Sequence, residues 1–299
     1  TNSKSYRRKG LNAMNFKLDP LMQLGYTKIR VQNLALQKAF YSKLGFHILD
    51  ENEHTIHFGV DGRTILILTT EEDVIPRPPR TTGLFHFAIL VPSREDLGHV
   101  IANLSNEGVP FTGAGDHIYS EAFYLNDPEG NGIEIYHDRP KSSYVIDEQG
   151  MVQTDTLPVD VQSILALHDP NRPWEGFPTG TILGHMHLNV SDLNDDVAKL
   201  YFDALGFDLK TNFRGSAWFI SAGGYHHHIA MNLWNGRGIP NAPKIATGLV
   251  SFSLNLSSIE ELEKLTANLQ KHDVSYEQVG EKVIVEDINQ NEMIFEVQQ

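Results

Sequence analysis

Gly184-His185-Met186-His187-Leu188-Asn189-Val190 places apolar side chains at every second position, the period of a half-buried strand. Gly25-Tyr26-Thr27-Lys28-Ile29-Arg30-Val31 has the same shape 159 residues earlier. Each is followed by a helical stretch that closes on one punctuation, Lys43-Leu44-Gly45-Phe46 and Ala204-Leu205-Gly206-Phe207. Glycine just past a last helical turn is the usual stop, because it enters the left-handed region without a Cβ clash. A second pair of units repeats in the same way. Phe85 to Val91 reads as a strand and Glu95 to Asn106 as a helix, and Asp127-Pro128-Glu129-Gly130-Asn131 turns into the strand Gly132 to Tyr136. Its echo is Leu249 to Leu256, Ser258 to Lys271, Asp287-Ile288-Asn289-Gln290-Asn291 and Met293 to Val297. Four strand–helix–strands units therefore begin near residues 24, 83, 183 and 248.

A unit of this order leaves a curved sheet with one open concave face, and two units together close a half-barrel cleft suited to a ligand. The expected fold is α+β, with mixed or largely antiparallel sheets. In chain order the units give an N-terminal domain over 14–137 and a C-terminal domain over 182–299. A Pro- and Asp-bearing linker, 138–181, joins them and holds one short helical stretch near Val159 to His168. Residues 1–13 carry Lys4, Arg7, Arg8 and Lys9 without an acid or an apolar run. They read as an artificial tail ahead of a native start at Met14, not as a secretory signal.

Composition narrows the chemistry. The 299 residues contain no cysteine, which excludes disulfides, thiolate-bound zinc, iron–sulfur clusters and thiol catalysis. A net charge of −14 argues against a nucleic-acid partner, which calls for clustered Lys and Arg. No apolar run approaches the ~18 residues that span a bilayer, so no membrane partner is expected and the location expected is the cytoplasm. Any metal must sit on histidine and carboxylate.

Seven residues before the polar residue that ends each opening strand stand Tyr26, His86, His185 and Ser251. The last strand of the second unit carries Glu134, whose counterpart in the fourth is Ile294. A single histidine in a strand is more often a satisfied core residue than a ligand. Two at equivalent places, with one carboxylate, form the two-nitrogen, one-oxygen set typical of non-haem Fe(II) with open positions. This set requires units two and three to adjoin. His187 shares a strand face with His185; it is the rival ligand and otherwise a residue of the substrate pocket. Tyr225-His226-His227-His228-Ile229-Ala230 reads as strand, so His227 should point opposite to His226 and His228. His117 and Tyr124 precede the Asp127-Pro128 turn and can reach the same cleft, or be an ordinary loop residue and a strand aromatic.

These stretches resemble the type I extradiol (catechol 2,3-) dioxygenases of the vicinal oxygen chelate superfamily, which also holds glyoxalases and bleomycin-resistance proteins. The resemblance rests on Gly115-Asp116-His117, Asn126-Asp127-Pro128 through Glu134, Gly184 to His187 and Ala222 to His228. It implies four βαβββ modules paired into two half-barrel domains, and metal ligands at His86, His185 and Glu134. It also implies an acid–base histidine at His227, a pocket tyrosine at Tyr124 and a further pocket histidine at His117. The implied cofactor is Fe(II), with Mn(II) second; the implied partners are a small aromatic diol and O2, with room for a homo-oligomer. The family's better-known sites lie between units three and four, whereas here the ligand types fall on two and three. A glyoxalase-type lyase or isomerase, and a metal-free binding or resistance protein, are the alternative readings.

Overall fold

A computed structural model of the protein describes residues 15–298, so the tail assigned to residues 1–13 lies outside the described residues. The first unit runs β1 (Gln23–Arg30), α1 (Leu34–Leu44), β2 (His47–Glu51), β3 (Thr55–Val60) and β4 (Arg63–Thr69). The second runs β5 (Gly83–Leu90), α2 (Arg94–Asn106), β6 (Gly113–Asp116), β7 (Ser120–Asn126) and β8 (Gly132–Asp138). After the linker, with its short α3 (Val161–Leu165), comes the third: β9 (Ile182–Asn189), α4 (Asp195–Ala198), β10 (Asp208–Phe213), β11 (Ala217–Ser221) and β12 (Ile229–Asn232). The fourth is β13 (Gly248–Leu256), α5 (Ile259–Lys271), β14 (Glu277–Val279), β15 (Lys282–Glu286) and β16 (Glu292–Val297).

Local chemistry marks the helix ends. Asn33, Ser93 and Ser258 each cap a helix by accepting a backbone N–H with the side chain. Gly45 stops α1 at φ 120°, where any Cβ would be strained. α4 continues as a π turn over Lys199–Ala204. Five residues separate Tyr201 from Gly206, against four from Tyr41 to Gly45, and the wider turn absorbs the extra one.

The strands form two sheets of eight, ordered β14-β15-β16-β13-β1-β4-β3-β2 and β10-β11-β12-β9-β5-β8-β7-β6. Each sheet takes one unit from either half of the chain, the fourth with the first and the third with the second. The opening strands meet antiparallel at the centre, β1 on β13 and β5 on β9. The chain-order halves 14–137 and 182–299 are thus not the hydrogen-bonded blocks. The units within a half are linked instead by a helix tyrosine. Tyr41 donates to Asp127 Oδ2 at 2.9 Å, and Tyr201 donates to Asp287 Oδ2 at 2.8 Å. One core cluster runs through all four units and includes Tyr41, Phe87, Phe207 and Phe295. Each such ring contributes on the order of 1.5–3 kcal/mol by leaving water. Among the described residues no helix is long and apolar enough to cross a membrane.

Candidate metal centre

The centre of the second sheet brings three sequence-predicted residues together. Ala88 on β5 faces His185 on β9 and Glu134 on β8. Its methyl group is small enough for the two longer side chains to meet above it, and His86 lies two residues back on the same face. Glu134 Oε2 is 2.9 Å from His86 Nε2 and 3.1 Å from His185 Nε2, and the two nitrogens are 3.4 Å apart. Donors held about 2.1 Å from one ion and at right angles lie about 3.0 Å from each other. The three atoms therefore fit three adjacent coordination positions of one divalent ion. They are the group among the described residues placed to hold a metal, and all three are buried.

Burial works to raise the Glu134 carboxyl, but the two imidazoles outweigh it by charge and hydrogen bonding and hold it well below the usual range. Burial lowers His185 against the pull of Glu134, toward the neutral form that a metal ligand takes. A divalent ion held by this one anion and two imidazole nitrogens would keep a single net positive charge.

The triad forms the floor of a cavity of about 350 Å³ that also reaches Phe85, His117, Tyr124, His187, Phe219, His227 and Trp234. A bulge admits Phe85: the pairing of β5 with β9 shifts between Leu84 and His86, leaving Phe85 unmatched. Both it and His86 then line the cavity, against simple alternation. Gly132 makes room for the bulge, since a Cβ there would lie 2.2 Å from the Phe85 carbonyl oxygen.

His117 and Tyr124 form a pair. His117 Nδ1 lies 2.9 Å from the Asp155 carbonyl oxygen, and its Nε2 lies 2.5 Å from the Tyr124 hydroxyl. A carbonyl only accepts, so Nδ1 carries a hydrogen, and with a single hydrogen on the ring Nε2 accepts from the phenol. Burial, reinforced by Glu134, pushes the Tyr124 phenol well up, keeping it protonated. The turn bearing His117 is strained at Ile118, a β-branched residue at φ 75°. Arg139 clamps it by donating to the Ile118 carbonyl at 2.8 Å and to both oxygens of Asp116. His187 lies opposite His86 and close to Asn232 Nδ2, at 3.0 Å, outside the triad.

The histidine tract departs from the sequence expectation. Residues 222–228 form a turn, and β12 begins only at Ile229, so strand alternation does not govern them. His226 and His227 instead touch each other, Nδ1 to Nδ1 at 2.8 Å. His227 packs its ring 4.2 Å from that of His185 and faces the cavity. Burial first, then the neighbouring imidazoles, lower it well below the ordinary histidine value, so it is neutral at neutral pH. Sequence reasoning missed Phe85 and Trp234, the partly exposed aromatics at the cavity mouth, Tyr119 on its wall, and Tyr136 and Asp138 behind it. For Phe85 the only signal was its place beside His86.

The profile of the Glyoxalase/Bleomycin resistance protein/Dioxygenase superfamily matches residues 23–135. Catechol-2,3-dioxygenase of Bacillus subtilis is 44% identical over 253 residues, 83% of this chain and 87% of that one. The chain belongs to this superfamily. In fold it is similar to a Bacillus subtilis protein described as a candidate dioxygenase, with TM-score 0.62 and 14% identity over 94% of this chain and 86% of the other. Glyoxalase I of Zea mays is likewise similar, with TM-score 0.54 and 14% identity over 92% of each chain. At that identity the two structures speak for the superfamily's architecture alone.

Proposed function

We propose that the protein is an extradiol ring-cleaving dioxygenase that opens a catechol beside its two hydroxyls and incorporates both atoms of O2. The observation that carries this reading is the convergence of His86, Glu134 and His185 on one point in an aromatic-walled cavity. The 44% identical relative is a catechol-2,3-dioxygenase, which supports the same class. Fe(II) is the ion we assign, with Mn(II) next, since the donor set is the two-histidine, one-carboxylate type. When bound there, the ion supplies Lewis acidity and a common point of attachment for diol and O2.

The rest falls to the chain. Phe85, Phe219 and Trp234 flank the space above the triad and favour a flat aromatic ring over water. His227, neutral and facing the cavity, takes the proton that a diol hydroxyl must lose on binding, and returns it later. The His117–Tyr124 pair holds the opposite side, with the phenol oxygen placed to bond a substrate oxygen. Confining and orienting the ring in this cavity lowers the barrier, because freely diffusing reactants seldom meet in the reactive geometry.

The test is anaerobic loading of the protein with Fe(II), followed by catechol and air. One O2 consumed per catechol, with a yellow ring-opened product, is the expected result. Metal bound without O2 uptake for any catechol would sink the assignment and redirect attention to a lyase or isomerase.

A further inference from the structure

The tract 226–228 leaves two imidazoles that this chemistry does not use. His228 belongs to the fold: its Nδ1 accepts the Ala222 N–H at 3.2 Å. His226 does something else. Its fully buried side chain stands between the cavity and a carboxylate. On one side its Nδ1 is 2.8 Å from His227 Nδ1, and on the other its Nε2 is 2.7 Å from Asp138 Oδ1. Asp138 closes β8 with a side chain about one-fifth exposed, 21%, and its second oxygen accepts from the Tyr225 hydroxyl at 2.7 Å. Tyr119 stacks on the His226 ring at 4.1 Å and 13°, which fixes the plane of the imidazole. Asp138 belongs to unit two and the histidines to unit three, so the contact crosses the same unit boundary as the metal triad.

With both rings neutral, only one arrangement of hydrogens satisfies the two contacts. A carboxylate only accepts, so His226 Nε2 carries the hydrogen. Neutral His226 then has a lone pair on Nδ1, and the hydrogen between the rings must sit on His227 Nδ1. His227 Nε2 is left with a lone pair toward the cavity. The bond made by one ring nitrogen thus dictates what the other can do.

We propose that Asp138 and His226 are positioning residues that fix the tautomer and orientation of His227, so that its Nε2 meets the substrate as a proton acceptor. The proposal rests on the acid–base role given to His227 above. Without the carboxylate, His226 can present either nitrogen, and His227 loses the constraint that keeps its Nε2 bare. In a serine protease triad, an aspartate-to-asparagine change that leaves the histidine in the wrong tautomer costs about 10⁴ in kcat.

The experiment compares Asp138→Ala, His226→Phe and the control Tyr225→Phe, which keeps the carboxylate. Kinetics use the Fe(II)-loaded protein with catechol, and ¹⁵N imidazole spectra use the Zn(II)-loaded protein. The first two variants should hold full metal and keep KM within about threefold, while kcat drops by roughly 10²–10⁴. Tyr225→Phe should keep kcat within about threefold. Wild-type His227 should show an unprotonated Nε2 and a protonated Nδ1, and Asp138→Ala should show a mixture. A wild-type spectrum with the hydrogen on Nε2, or an Asp138→Ala enzyme with undiminished kcat, overturns the proposal. Should the variants fold poorly, the wild-type spectrum decides alone. A metal-loaded wild type that never consumes O2 with catechol refutes the ring-cleavage reading, while the spectrum still reports on the tautomer.

Discussion

The two eight-stranded sheets share one topology and differ in what their central strands carry. In the sheet of units two and three, the register places His86, His185 and Glu134 around Ala88. In the sheet of units one and four, the same places hold Ser251, Tyr26 and Ile294 around Ser253. Tyr124, one strand further out, corresponds to Ile284. The Asp–Asn turns and their tyrosines recur in both: Asp127 with Asn131 and Tyr41, Asp287 with Asn291 and Tyr201. The recurring parts therefore build the scaffold, and the chemistry resides in a few substitutions at equivalent register positions. Function follows the site and not the fold.

Glu134→Ile copies the silent sheet into the active one and is the harshest test of this comparison. Ile294 occupies that register position at 8% exposure, so the backbone accommodates the residue. The expected outcome is loss of bound iron and of O2 uptake by more than about 10³-fold, with a cooperative melting transition retained. Metal analysis beside a thermal melt checks it; retained iron would mean that the carboxylate is not a ligand. His227→Phe comes next. The ring fills the same space against His185 and Phe219, so metal content should hold while kcat falls on the order of 10²–10⁴. Single-turnover rates on the iron-loaded variant measure the loss directly, and unchanged turnover would end the acid–base assignment.

What the sequence disclosed follows from this pattern. The converging triad was legible because repeats put His86 and His185 at one offset from a strand end, and because Glu134 is the carboxylate on the last strand of the second unit. Placing those three side chains in one site implied that units two and three adjoin, although chain order suggested halves of 14–137 and 182–299. The Asp138–His226 contact was not legible, since it spans 88 residues and depends on where a turn places a side chain. Residues 226–228 read as strand because Ile229-Ala230-Met231 does form one, and a turn preceding it breaks the period of two. Phe85 was hidden by the bulge, where neighbouring residues share a face and alternation fails.

Charge separates the sheets as well. Glu121, 3% exposed, bonds Arg94 at 2.7 Å and His137 at 2.7 Å, whereas Glu281 at the matching place is exposed. Burial works to raise the Glu121 carboxyl, but Arg94 and His137 outweigh it and set it below the ordinary value. A lowered folded pKa gives stability that is present above the unfolded value of about 4.3 and fades as pH falls through the lower, folded value. Glu121→Gln should therefore cost about 1.5–3 kcal/mol near neutrality, the worth of bonds to charged groups, and flatten the acid limb of the stability curve. Glu281→Gln should leave both unchanged. Urea melts between pH 3 and 7 discriminate, and identical acid limbs for the two variants would refute the distinction.

The smallest effect is expected in the helices, where a difference between the repeats runs against stability. Four residues before Tyr41 stands Gln37, and four before Tyr201 stands Val197; both side chains are buried. Val197 gains from leaving water. Gln37 lies at 0% exposure with neither its amide nitrogen nor its amide oxygen bonded. An unmet buried polar group costs on the order of 1–3 kcal/mol, whereas an apolar group of similar shape carries no such penalty. Gln37→Leu branches one carbon earlier, at Cγ instead of Cδ, and removes both orphaned atoms, so the variant should gain about 1–2 kcal/mol, less any strain from the changed shape. Urea unfolding with an unchanged m-value is the measurement, because an altered slope would signal a change in the denatured ensemble instead. Turnover should not move, since Gln37 does not line the cavity. A loss of stability would show that the amide is satisfied by buried water, and that the first unit keeps a polar cavity where the third has a dry contact.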